Sequence, residues 1–255
     1  MSDNEPELDE EAREARRQAR RAKRRAERSK RTFNPISPVV LVIVGIMAVI
    51  ELGLQAGAHG WIGGVDAISW RNVMAQNFGL NPAVVEHILQ GGTIEPKVIW
   101  PFFTYIFVAR SFINFLIVAA LILAMGKMIA DRFSSIAVLI LFISCTLVGA
   151  IVFGLSPHSN RFPMLGAYPV FYGFIGTYTW IGVADLRKAG KSILPAFAAV
   201  GMFLVFRGTM ALVYGPSNSW TADLAGLLVG FGLAYLVAPD GKDRIKRWLR
   251  RLRNR

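Results

Sequence analysis

Residues 134–155 read SSIAVLILFISCTLVGAIVFGL, a run without one charged side chain. At ~1.5 Å of rise per residue, a helix of that length crosses the ~30 Å hydrocarbon core of a bilayer. The run has no two-residue alternation of apolar and polar positions, so a barrel strand does not fit. Backbone amides placed in hydrocarbon must find partners within their own segment, and a helix provides them.

Five further apolar runs accompany it: 38–57, 100–126, 167–184, 192–214 and 221–237. Two of them, 167–184 and 221–237, stand near the lower length limit for a span. The chain is 53% apolar yet carries a net charge of +12, which requires charge and apolar surface to be segregated along it. Residues 1–35 form a basic arm, 36–238 a membrane domain, and 239–255 a basic tail. The expected fold is an all-α integral membrane bundle of six transmembrane helices. Lys127, Arg132, Arg187, Lys188 and Lys191 fall between spans on the side of the basic termini, while the opposite loops hold only Arg71, Lys97 and Arg161. This bias places both termini in the cytoplasm. A multi-pass protein of a bacterial inner (plasma) membrane is the expected setting.

The first outer loop, 58–99, is long. It holds Trp61, Trp70 and a moderately amphipathic piece from Ala67 to Leu89, with Asn81-Pro82 marking a helix start. A helical hairpin at the interface and an ordinary surface loop are both open readings. The arm is rich in Arg20, Arg21, Lys23, Arg24 and Arg25 and has no apolar stripe. The tail repeats Ile245, Trp248, Leu249 and Leu252 at helical spacing among arginines. Anionic lipid is the expected partner of both, and nucleic acid is not, since no aromatics interleave with the basic residues of the arm. The lone Cys145 excludes an intrachain disulfide and a cysteine metal site, and no cofactor is expected.

Gly166-Ala167-Tyr168-Pro169, followed by Gly173 and Gly176, resembles the fourth helix of rhomboid intramembrane serine proteases. Ala222-Asp223-Leu224-Ala225-Gly226, then Gly230 and Ala234, is similar to the sixth helix of that family. The second run adds Trp100, Phe103-Thr104, Gly126 and Asp131-Arg132-Phe133. The resemblance extends over roughly 36–237 and implies a rhomboid-like bundle with a long first outer loop. It also implies close packing of the fourth and sixth helices through Gly166, Gly173, Gly176, Ala222, Gly226, Gly230 and Ala234.

The family's chemistry is missing from those positions. Its nucleophilic serine falls on Tyr168 and its histidine base on Asp223; its oxyanion pair falls on Asn114 and Val118, and Pro101 replaces the arginine after the loop tryptophan. A hydroxyl is a weak nucleophile until a base takes its proton, and a phenol of pKa about 10 is a poor one toward an amide. His59, His87 and His158 all fall in outer loops, so no histidine is expected at membrane depth. The Ser156–His158–Ser159 cluster is adjacent in sequence but lacks an evident oxyanion site. The resemblance therefore implies a pseudoprotease.

Glu51, Arg110, Arg207 and Asp223 fall inside apolar runs. A charge at the bilayer centre costs about 2.5–3.5 kcal/mol on insertion scales, so these four are expected to face the bundle as one polar cluster. That cluster either holds a client segment or fixes helix packing. Family members lacking the dyad bind transmembrane clients and influence their stability, assembly or trafficking, and the resemblance implies this role. A client helix would enter between the second and fifth spans. A small transporter or channel using the intramembrane charges, and an active rhomboid with an atypical site, are the alternatives. The oligomeric state stays open.

Overall fold

The computed structural model describes residues 37–93, 95–156, 162–214 and 219–238, and within 198–214 some side chains only as backbone. The arm, the tail, His158 and Ser159 lie outside the described residues. The described residues are helical and contain no strand: α1 (Pro38–Ala58), α2 (Trp70–Phe78), α3 (Pro82–Leu89), α4 (Pro96–Ile99), α5 (Pro101–Thr104), α6 (Phe112–Ala130), α7 (Ser135–Leu155), α8 (Tyr168–Lys188), α9 (Ala198–Tyr214) and α10 (Trp220–Val237). Four of these, α1, α6, α7 and α10, are long and apolar enough to cross a membrane.

α8 is the central helix. It packs on α6, α7, α9 and α10, and buries residues around its whole circumference. That position explains its composition. A helix surrounded by protein needs no continuous lipid-facing aliphatic surface, so Thr177, Thr179 and several glycines replace Leu and Ile. It has the length of a span, running four residues beyond the expected run, but not the hydropathy of one. α9, at seventeen residues, is preceded by a 3₁₀ turn over Leu194–Phe197.

α1 shows the ordinary pattern: Val40, Ile43, Met47, Glu51 and Leu54 are buried at helical spacing, and Leu41, Val42, Val49 and Leu52 are exposed on the other face. Val40 sits on Gly126 of α6.

The second span differs from the expected 100–126. Pro96 and Pro101 each open one-turn helices, Val108 is extended, and Ser111 caps a new helix by accepting from the Asn114 amide at 3.2 Å. The spanning helix therefore begins at Phe112. Arg110 lies in the connection before it and is exposed, so the expectation that Arg110 sits deep in a span is corrected.

The long first loop folds into a 3₁₀ turn (Val65–Ser69), α2, α3 and the one-turn α4, with the Asn81 side chain accepting from the Ala83 amide to start α3 as the Asn-Pro pair suggested. It is tied down at several points. Leu80 and Met164 exchange backbone hydrogen bonds, Thr104 donates to the Phe78 carbonyl at 2.9 Å, and Val85 of α3 lies against Gly154 of α7.

Candidate functional site

The two positions that the resemblance assigns to nucleophile and base lie at the loop-side ends of α8 and α10. Tyr168 is the first residue of α8. Gly166 before it adopts φ +91°, a left-handed conformation that glycine takes without strain, and its amide donates to the Tyr105 carbonyl at 2.9 Å. The buried Tyr105 hydroxyl in turn donates to the Thr146 carbonyl at 3.0 Å. This chain of bonds fixes where α8 begins and so where Tyr168 projects.

The Tyr168 hydroxyl accepts from the Asn114 side-chain amide at 2.8 Å. Its partner is therefore Asn114 of α6 and not Asp223, although Asp223, Arg207 and Arg110 all lie within electrostatic range of the phenol. Asn114 Oδ1 is buried and has no hydrogen-bond partner among the described residues. One turn along, Val118 is 1% exposed and offers only methyl groups where the family has a hydrogen-bonding side chain.

Asp223 is buried in the first turn of α10, where a carboxylate suits the positive end of the helix dipole. Its Oδ2 lies 3.0 Å from Arg207 Nη2 in an ion pair, although neither Asp223 oxygen accepts a hydrogen bond from a described residue, and Arg207 Nη2 donates to Ser219 at 3.4 Å. Glu51, 2% exposed, does not join them. Arg71 takes it bidentately, with Nη2 2.6 Å from Oε1 and Nη1 3.1 Å from Oε2, and Arg71 Nη1 also donates to the Ala109 carbonyl. The expected four-residue cluster is thus two separate ion pairs, Arg207–Asp223 and Arg71–Glu51, with Arg110 outside both. The cause is the folded loop: α2 packs on α1 beside Gly57 and carries Arg71 over Glu51. The sequence signal was Glu51 itself, a carboxylate within a span that needs a cation, but it does not say which cation returns.

The small residues of α8 and α10 meet as the resemblance implied, except Gly166, which precedes α8 and lies beside Asn114 and Tyr168 instead of α10. Ala222 and Ala234 are fully buried. A Cβ on Gly226 would strike the Pro169 carbonyl, one on Gly230 the Gly173 carbonyl, and one on Gly176 the Leu227 carbonyl. The two backbones are in contact. Cys145 of α7 completes this layer, its buried thiol 3.6 Å from the Gly226 carbonyl.

At the opposite end of the bundle, Arg132 pairs bidentately with Asp185 at 3.1 and 2.7 Å, a contact the sequence did not announce. Hydrogen bonding to Asp185 raises the Arg132 pKa further, against the smaller opposing effect of burial. His59 and His87 are both exposed in the loop region.

The Rhomboid domain model matches residues 96–240, more than half of the 255-residue chain. The match begins after α1, α2 and α3, so the likeness read over 36–95 stands outside it. No individual curated protein matches the chain. With that domain and its apolar helices, this is an integral membrane protein, and the chain belongs to the rhomboid family.

Proposed function

We propose that this chain is a non-catalytic rhomboid protein that binds transmembrane segments of other membrane proteins and influences their stability, assembly or trafficking. The observation that carries this reading is that both dyad positions are occupied by groups already committed elsewhere. Tyr168 holds the Asn114 amide, and Asp223 holds the Arg207 guanidinium. Peptide hydrolysis needs a hydroxyl whose proton a nearby base can take, and a carboxylate neutralised by an arginine is a poor base for a phenol.

In this reading six helices cross the membrane, α8 and α9 among them, and both termini face the cytoplasm of a bacterial inner membrane. The basic arm and tail lie against anionic lipid. The client segment enters between α6 and α9. α9 contacts the bundle sparingly and exposes Met202, Leu204 and Val205, which supports that route.

Purified full-length protein in detergent micelles should neither cleave a transmembrane peptide nor react with a fluorophosphonate. Tyr168→Ser should remain inactive, since no described histidine reaches the new hydroxyl. Photocrosslinkers at positions 168 and 204 should capture membrane proteins in cells. A labelled serine whose substitution abolishes a measured cleavage would establish the atypical protease in its place.

A further inference from the structure

A cavity of about 370 Å³ opens on the loop side of the bundle, between α2, the connection before α6, and the segment leading into α8. Its wall includes Arg71, Asn72, Gln76, Arg110, Phe162 and Leu165, with no carboxylate among the described residues that line it. Arg71 spends three of its five N–H donors on Glu51 and the Ala109 carbonyl, which leaves two N–H groups and no net charge from that pair. Arg110 has no hydrogen bond or ion pair with any described residue. The Asn72 and Gln76 side chains are likewise exposed and unengaged among the described residues. One uncompensated positive charge, a set of free donors and the exposed aromatic face of Phe162 therefore converge on one space.

An arginine at the edge of an apolar bundle needs a counter-ion, and in a bilayer the phosphate group is the anion present at that level. We propose that this cavity binds the phosphodiester of an anionic phospholipid, with Arg110 supplying the charge, Asn72 and Gln76 supplying hydrogen bonds, and Phe162 and Leu165 flanking the glycerol and first acyl carbons. The apolar flank favours a lipid over free phosphate. The lack of a carboxylate favours phosphatidylglycerol over zwitterionic lipids, whose ammonium would have no partner. The site is independent of the reading of the dyad positions and of any lipid held by the basic termini.

Full-length protein in phosphatidylcholine nanodiscs, containing a few per cent of a photoactivatable phosphatidylglycerol with its diazirine near the glycerol, provides the test. Labelling should appear at 162–165. Arg110→Gln, with unchanged thermal unfolding, should reduce labelling of that segment by about tenfold, the loss expected for one charged hydrogen bond. Labelling of the basic termini by the same probe should stay constant and serves as the internal reference. The matching phosphatidylcholine probe should label 162–165 weakly. Equal labelling of wild type and Arg110→Gln, or equal labelling by the two probes, would overturn the proposal. Displacement by inorganic phosphate at constant ionic strength would overturn the lipid as occupant and assign the site to a free anion.

Discussion

α9 and α10 flank the same central helix, differ in length by one residue, and each contain glycines, yet they are attached to α8 by different means. In α10, Gly226 and Gly230 sit directly on the α8 backbone. In α9, Gly201 and Gly208 face open space. The described side chains holding α9 to its neighbours include Phe203, edge-on to Phe171 with ring centres 5.0 Å apart, and Arg207, clasped to Asp223 of α10. Near its start a cavity of about 630 Å³ separates it from the ends of α6 and α8. Lipid chains are as apolar as leucine, so burial alone does not drive helices together in a membrane. Close backbone contact holds α10; an aromatic edge and an ion pair hold α9. Glycine marks a packing surface only where a partner backbone occupies the space its missing Cβ leaves.

The largest effect should come from filling that space. Gly230→Leu places a side chain where the Gly173 carbonyl already lies, and neither backbone can retreat cheaply. Overpacking costs about 1–3 kcal/mol in cores that can adjust, and more where backbone must move. The variant should fail to elute as a single folded species. Gly201→Leu and Gly208→Leu should elute and unfold like wild type, within about 0.5 kcal/mol. Equal tolerance at positions 230 and 201 would erase the distinction between the two helices.

The clasp comes next. Arg207→Ala leaves Asp223 buried without its cation, and breaking a buried pair in this way costs about 3–5 kcal/mol. The double variant Arg207→Ala with Asp223→Ala should regain a large part of that loss, whereas Arg207→Ala with Glu51→Ala should be additive, because Glu51 belongs to Arg71. Unfolding of wild type, the single variants Arg207→Ala, Asp223→Ala and Glu51→Ala, and the two double variants in a common detergent measures both couplings. A smaller effect should follow Phe203→Leu. It keeps the apolar volume but removes the ring edges facing Phe171 and Tyr172, for a loss of about 0.5–1.5 kcal/mol.

The α8–α10 contact was legible in the sequence because it is a local pattern: glycine and alanine recur every three or four residues on both helices. α8 itself was legible by resemblance more than by hydropathy, since a helix enclosed by protein loses the aliphatic run that identifies a span. The start of α6 was not legible. Residues 100–109 carry no charge and run on into the apolar helix that follows, and the break depends on Ser111 capping a new helix. The need of Glu51 and Asp223 for cations was legible. The choice of cation was not, because Arg71 reaches Glu51 only after the first loop has folded back over α1. Likewise, nothing along the chain shows that Tyr168 will meet Asn114, 54 positions earlier.

The smallest effect should come from a pair that looks, by distance alone, at least as good as the clasp. Arg132 and Asp185 approach to 2.7 Å with two hydrogen bonds, closer than the 3.0 Å between Arg207 and Asp223. Their side chains are 53% and 45% exposed, against 28% and 5% for the clasp. Exposed pairs are stabilised little, because water solvates both charges when they separate and salt screens their attraction. Arg132→Ala should therefore cost at most about 1 kcal/mol. Raising the ionic strength should shrink the difference between Arg132→Ala and wild type toward zero, while leaving the cost of Arg207→Ala nearly unchanged. A cost for Arg132→Ala that equals the cost for Arg207→Ala, or that persists in high salt, would mean that burial does not set the value of these pairs. The attachment of α9 would then owe less to its clasp than to the geometry around it.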